Sequence, residues 1–218
     1  MQIKLLLQCD KGSVSCVVFY RVGVCLSRMF LFGAVLLTLL SLVTADCPGV
    51  VSRQGWDALS PIHVQYLTRP VNIVIIQHTV SDTCSTDQTC EGIMRALQNY
   101  YMDNLNYWDI GSSFYVGGNG KIYEGVGWMY VGAHTYGFNS KSIGISFIGN
   151  YNNVEPTSAQ LEAVRDLLKC GVRQGHLTQD FVVVGHKQLV ALDSPGRKVY
   201  NVIRRWPEYL EDASSIKK

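Results

Sequence analysis

The chain predicts an α/β fold, a central mixed β-sheet flanked by about three α-helices, and three observations point to it. Short β-branched runs, "VNIVIIQ" (71–77), "SIGISFIGN" (142–150) and "FVVVGH" (181–186), read as buried strands. Two longer segments between them repeat apolar residues at helical spacing. Helices interleaved with strands in this way belong to α/β architecture.

Each element follows in chain order. "VVSRQGWDALSP" (50–61) is a lead-in segment ending in a turn, and "VNIVIIQ" is the first buried strand. In "STDQTCEGIMRALQNYYMDNL" (85–105), Ser85 and Gln88 fit a capping box, and Ile93, Met94, Leu97, Tyr100, Tyr101 and Leu105 form an apolar stripe. "SSFYVGGNGKIYEG" (112–125) predicts a hairpin around Gly-Asn-Gly. The glycine in "SIGISFIGN" predicts that something packs closely on that strand. In "TSAQLEAVRDLLKCGVRQG" (157–175), Thr157 and Gln160 form a capping box, Leu161, Val164, Leu168 and Val172 a stripe, and Gly175 a stop. "VYNVIRRWPEYL" (199–210) predicts a last helix broken or ended near Pro207.

With 218 residues, 47% hydrophobic and 17% charged, the chain can bury a full core and is not disordered. A net charge of +2 gives no electrostatic case for nucleic acid. Residues 1–45 read as a signal peptide or leader. "MFLFGAVLLTLLSLVTA" (29–45) is an apolar run behind Arg28 that ends in Val43-Thr44-Ala45, the small-residue pattern of a cleavage site. The long stretch before Met29 is either part of the leader or upstream of a start at Met29. A membrane anchor is the competing reading of the run, since it approaches the roughly 17 residues that span a bilayer. Cleavage would leave a secreted domain, 46–218, with no membrane contact. That domain keeps Cys47, Cys84, Cys90 and Cys170, which allow three pairings. Cys84 and Cys90 face each other across a short polar loop and predict a local bridge, which leaves Cys47 with Cys170.

Three histidines stand where chemistry concentrates. His78 and His186 end apolar strands, and His134 lies in "VGAHTYG"; strand ends in α/β sheets are where ligand sites form. His63 has no evident role, and His176 follows a helix stop and is expected in solvent. Ser194 in "DSPG" lacks a G-x-S-x-G elbow, and no H-E-x-x-H or phosphate loop occurs. Tyr100, Tyr101, Tyr107, Trp108, Trp128, Tyr130 and Tyr136 cluster near polar loops, a composition suited to glycans and peptides; Tyr100 and Trp108 are expected in the core.

The ordered motifs "RQGWDA", "IIQHTVSDTC", "MDNLNYWDIGSSFYVGGNGKIYEGVGW", "GAHTYGFNSKSIGISFIGNY", "LLKCGV" and "WPEYL" resemble the peptidoglycan recognition proteins, over essentially all of 47–210. These are relatives of phage-type zinc amidases that cut N-acetylmuramoyl from L-alanine. The resemblance implies an amidase-like fold and the bridges Cys84–Cys90 and Cys47–Cys170. In catalytic members zinc sits on two histidines and a cysteine, with a tyrosine beside it. The resemblance puts those positions at Gln77, His186, Ser194 and Ser112, so His186 alone keeps a ligand. Catalytic zinc needs about three strong protein ligands plus water, and an amide and a hydroxyl are poor replacements. The expectation is therefore a degenerate site with no catalytic residue, metal or cofactor. Residual hydrolysis, by unusual zinc ligands or by Ser194, is the alternative.

The resemblance further implies a groove lined by His78, Thr79, Tyr101, Asn106, Tyr107, Trp128, His134 and Asn139. Tyr101 stands where many members have histidine. Asn106-Tyr107 is similar to the Asn-Phe pair of members that read lysine-type stem peptides, where diaminopimelate readers tend to have Gly-Trp. The partners implied are bacterial peptidoglycan and its muropeptides, with proteins of an extracellular protease cascade.

Overall fold

The computed structural model describes Leu7–Gln8, Val17–Val18, Cys47 and residues 49–217. The chain divides into two compact units, Met1–Ala45 and Asp46–Lys218. In the first, Leu7–Gln8 pairs antiparallel with Val17–Val18. The leader reading, with its apolar run and Val-Thr-Ala site, lies outside the described residues.

The second unit is built on six strands: β1 (Val50–Val51), β2 (Val71–His78), β3 (Phe114–Val116), β4 (Ile122–Glu124), β5 (Ile143–Phe147) and β6 (Leu177–Gly185). Their order is β1-β4-β3-β5-β2-β6. Only the β3–β4 hairpin is antiparallel; the other neighbours are parallel, so the sheet is mixed as expected. Helices α1 (Asp87–Asn99), α2 (Ser158–Arg173) and α3 (Arg197–Ile203) complete the α/β fold. Among the described residues no helix is long and apolar enough to cross a membrane.

Strand periodicity sorts the core onto two sides. Val74 and Ile76 of β2, Ile143, Ile145 and Phe147 of β5, and Phe114 and Val116 of β3 pack with Val164, Leu167 and Leu168 of α2 and with Val199 and Ile203 of α3. On the opposite side Tyr115, Tyr123 and Ile148 pack with Met94 of α1 and the fully buried Trp56. The odd-numbered positions of β2 and the even-numbered ones of β5 therefore share a face, and Gln77 lies directly opposite Ser146 in the parallel ladder. Because β2, β5 and β6 run the same way, the ends carrying Gln77-His78 and His186 meet at one edge.

Helix boundaries follow local chemistry. The α2 capping box is Thr157 with Gln160, as the spacing predicts. At its far end the His176 N–H bonds the Gly171 carbonyl and the Gly175 N–H the Val172 carbonyl, with Gly175 at φ 72°, a Schellman stop. The α1 box forms one residue later than Ser85–Gln88 predicts, between Thr86 and Thr89, because both threonine hydroxyls reach the other residue's backbone N–H. The last helix is shorter than its pattern and stops at Ile203, ahead of Pro207. Strand β1, too short to show a period, was not expected. Tyr100–Asn104 continues α1 as a π-helical turn, a form that concentrates at functional sites.

Disulfides join Cys47 to Cys170 and Cys84 to Cys90. The first spans 123 residues and ties the start of the domain to buried Cys170 in α2. Replacing Cys47 and Cys170 together by serine is expected to lower unfolding free energy by about 2–5 kcal/mol in urea titrations, since the unfolded chain regains the freedom of a long loop.

Candidate functional site

The strand-end edge opens into a cleft of about 320 Å3 lined by Gln77, His78, Thr79, Tyr101, His134, His186 and Ser194, with Val80, Ser146, Asn152, Leu192 and Asp193. The four strand-end and loop positions that the resemblance relates to zinc are thus gathered: Gln77, His186 and Ser194 line the cleft, and Ser112 lies beneath it, bonded to Gln77. A second cavity of about 640 Å3 holds Asn106, Tyr107 and Asn139. The loop 132–140 stands in both walls, with His134 on the first and Gly132, Ala133, Gly137, Asn139 and Ser140 on the second.

The cleft floor is a closed polar network on otherwise apolar strands. The Gln77 carboxamide donates to the His134 carbonyl at 2.9 Å and to Thr135 Oγ1 at 3.0 Å. Its oxygen lies 3.1 Å from Ser112 Oγ and 3.2 Å from Ser146 Oγ, and those two hydroxyls lie 2.7 Å apart. Gln77, Ser112, Thr135 and Ser146 are all buried, and burying such groups is tolerable only when they are bonded in this way. The network reaches the wall through Ser112, whose N–H donates to the Tyr115 hydroxyl at 3.0 Å; Tyr115 in turn hydrogen-bonds Tyr101.

Small residues let rings approach the sheet. A Cβ on Gly144 would stand 2.6–2.9 Å from the His134 ring, which is the close packing expected of that strand. A Cβ on Gly111 would stand 2.9 Å from the Tyr101 ring. The Asn139 side-chain oxygen accepts from the N–H groups of His134 at 3.0 Å and Thr135 at 2.7 Å, so Asn139 braces the loop and leaves only its NH2 facing outward chemistry. Thr79 Oγ1 likewise accepts from the Gly149 N–H at 2.9 Å. His78 Nδ1 accepts from the Tyr151 N–H at 3.2 Å, and the His78 N–H donates to Ser194 Oγ at 3.2 Å.

The structure corrects several expectations. Trp128 lines neither cavity: its indole fills the space over Gly171 of α2 and stacks on His176 with ring centres 5.0 Å apart. His176 is correspondingly not free in solvent, and it also meets Arg69 and Gln174. Tyr100 and Trp108 are not core, being 52% and 53% exposed. Trp108 lines the larger cavity edge-on to His63, which gives that histidine a place in the wall. Sequence reading passed over Ser146, Thr135, Asn152 and Asp193. Ser146 left a signal, since 142, 144 and 146 are small or polar within an apolar strand.

Among the described residues no three His, Cys, Asp or Glu side chains gather to hold a metal ion. Two cleft histidines, His134 and His186, are held neutral by burial. Burial pulls His134 down to about 3, with nearby His186 adding to the shift, and burial pulls His186 down to about 4, with His78 adding. Both values lie below the ordinary 6.5, so between pH 6.5 and about 4 the unfolded chain binds protons that the folded one refuses. Stability is full above pH 6.5 and is expected to fall as pH drops through that window, by up to about 1.4 kcal/mol per pH unit for each histidine. Urea titrations between pH 7 and 4.5 measure this, and His134→Gln should flatten the dependence.

With the geometry in place, known proteins can be set beside it. A family model described as N-acetylmuramoyl-L-alanine amidase matches residues 67–199. A Trichoplusia ni peptidoglycan recognition protein is 64% identical over 170 residues, covering 78% of this chain and 93% of that protein. Manduca sexta Peptidoglycan Recognition Protein-1 superposes with a TM-score of 0.75 at 57% identity, covering 78% of this chain and 97% of its own. Human PGRP-IBETAC, solved in complex with glycosamyl muramyl pentapeptide, superposes with a TM-score of 0.73 at 40% identity over 75% of this chain and 99% of its own. Identity and structural similarity at this level have one meaning: the chain belongs to the peptidoglycan recognition protein family, which is related to the amidases.

Proposed function

We propose that the protein is a secreted, non-catalytic receptor for bacterial peptidoglycan that displays bound polymer to partners of an extracellular protease cascade. The observation that carries this reading is the state of Gln77. Where zinc would need an imidazole, a carboxamide has all its hydrogen-bonding capacity taken up by Ser112, Thr135, Ser146 and the His134 carbonyl. The remaining donors at those positions are His186 and the Ser194 hydroxyl. One strong ligand does not fit a catalytic zinc, which uses three, so no water is acidified there. Hydrolysis by Ser194 also lacks support, because its Oγ is engaged by the His78 backbone N–H rather than by an imidazole.

The two cavities supply what a receptor needs: an aromatic and amide-lined groove for the muramyl group and its stem peptide, with His78, Thr79, Tyr101, Asn106, Tyr107, His134 and Asn139 as its predicted contacts. A lysine-type stem suits it better than a diaminopimelate one. The latter carries an extra carboxylate, and neither cavity is lined by lysine or arginine to meet it. The pair Asn106-Tyr107 favours the same choice. Secretion is supported by the leader-like residues 1–45 and by two disulfides, which persist in oxidising compartments.

Residues 46–218 incubated with insoluble peptidoglycan, with and without zinc, should be retained on the polymer and should release no free stem peptide; release of stem peptide overturns the reading. Calorimetry should show tighter binding of lysine-type than of diaminopimelate-type muropeptides. The triple variant Gln77→His, Ser112→Tyr, Ser194→Cys is expected to gain zinc binding by calorimetry, and a variant that folds without gaining it shows that these positions do not correspond to the zinc site.

A further inference from the structure

Building on the receptor reading, we propose that Gln77 is a positioning residue: its carboxamide holds the 132–140 loop, the wall shared by both cavities, in the orientation that ligand binding requires. Four features lead there. First, the loop stands in the walls of both cavities, as the 101–110 segment also does, so its placement bears on the width of each. Second, both N–H bonds of the Gln77 amide go to that loop, at the His134 carbonyl and Thr135 Oγ1. Third, the amide oxygen is fastened to the sheet by Ser112 and Ser146, whose two hydroxyl protons serve three close contacts, one proton being shared. Fourth, the loop's other braces lie elsewhere: Asn139 ties it to itself through the His134 and Thr135 N–H groups, the Ala133 N–H bonds the Gly111 carbonyl, and Ser142 Oγ bonds the Phe138 carbonyl, whereas Gln77 ties it to the end of β2.

Residue chemistry narrows the choice to glutamine. The carboxamide has two donors and one oxygen with two lone pairs, matching a carbonyl plus a hydroxyl on one side and two hydroxyls on the other. An ionised glutamate would set oxygen against the His134 carbonyl. A methionine of similar length would leave that carbonyl and three hydroxyls without their partner. Imidazole cannot donate twice while accepting twice. With every polar atom engaged, Gln77 has nothing left to offer a ligand directly, and its influence passes through His134 and the loop.

The test combines two measurements on residues 46–218: calorimetric affinity for a lysine-containing N-acetylmuramyl pentapeptide, and amide hydrogen exchange. Gln77→Met is expected to bind about tenfold more weakly, the loss of roughly one to two buried hydrogen bonds. Exchange should quicken at residues 134–139 and stay unchanged in β5 and α2. Thr135→Val should show a smaller effect of the same kind, and the double variant should lose less than the two single losses combined. Unchanged affinity in Gln77→Met, or exchange that quickens across the whole sheet, overturns the proposal. If the unaltered protein fails to bind the pentapeptide, the receptor reading falls, while the loop-confined exchange pattern still decides the role of Gln77. Should Gln77→Met not fold, Thr135→Val carries both measurements.

Discussion

The constraint on which the cleft depends is that polar atoms buried at the end of an apolar sheet need partners inside the protein, and His134 Nε2 is the cleft's buried exception among the described residues. Strand β2, strand β5 and the 181–185 half of β6 are largely apolar until their last residues, so Gln77, Ser146 and His186 arrive at a common edge with little water available. An unpaired amide there would cost about 1–3 kcal/mol, comparable with a large share of a domain's net stability. The parallel register answers this by setting Gln77 beside Ser146, and the hairpin brings Ser112 to the same spot. Once that cluster closes, the position of the 132–140 loop follows from where the two amide N–H bonds point.

The same burial fixes the charge state of the cleft. His186 disfavours protonation of His134 and His78 that of His186, and burial dominates for all three histidines. Asp193 works the other way on His78 without prevailing. The result is a neutral, hydrogen-bonding floor beneath an aromatic wall, in which neutral imidazoles both donate and accept. Such a surface suits the hydroxyls and amides of a glycopeptide. The glycines act in support: Gly144 lets the His134 ring lie on β5, and Gly111 admits the Tyr101 ring, so ring positions are set by missing side chains as much as by contacts.

Much of the fold was legible because its signals are local. The runs 71–77 and 181–185 are too apolar to be anything but buried, and Thr157, Gln160 and Gly175 mark the limits of α2 through chemistry within one turn. What was not legible depends on the partner surface. Trp128 and Trp108 both follow polar loops, yet one fills the gap over Gly171 and the other stands half-exposed beside His63, a difference decided by α2 and the 62–66 segment rather than by either tryptophan's neighbours. The Thr86–Thr89 cap displaced the Ser85–Gln88 alternative because several capping residues stand in succession, and propensity alone does not rank them. In the site, the positions Gln77, His186 and Ser194 could be read from motifs. Their bonding could not, since Ser146, Thr135 and Ser112 come from three distant segments that only the register brings together.

The network also accounts for how this strand end is held by an uncharged side chain. A side chain at position 77 that could not bond them would leave the Ser112, Thr135 and Ser146 hydroxyls and the His134 carbonyl one partner short, which is destabilising in a dry environment. A glutamine is one of few side chains that satisfies a carbonyl and several hydroxyls at once from a strand end, and it does so without charge, so no counterion has to be buried with it. On the receptor reading, an amide at this strand end and the shape of the groove are then coupled through a single residue type. Under this view Gln77 is the group that allows His134, Thr135 and Asn139 to keep one arrangement.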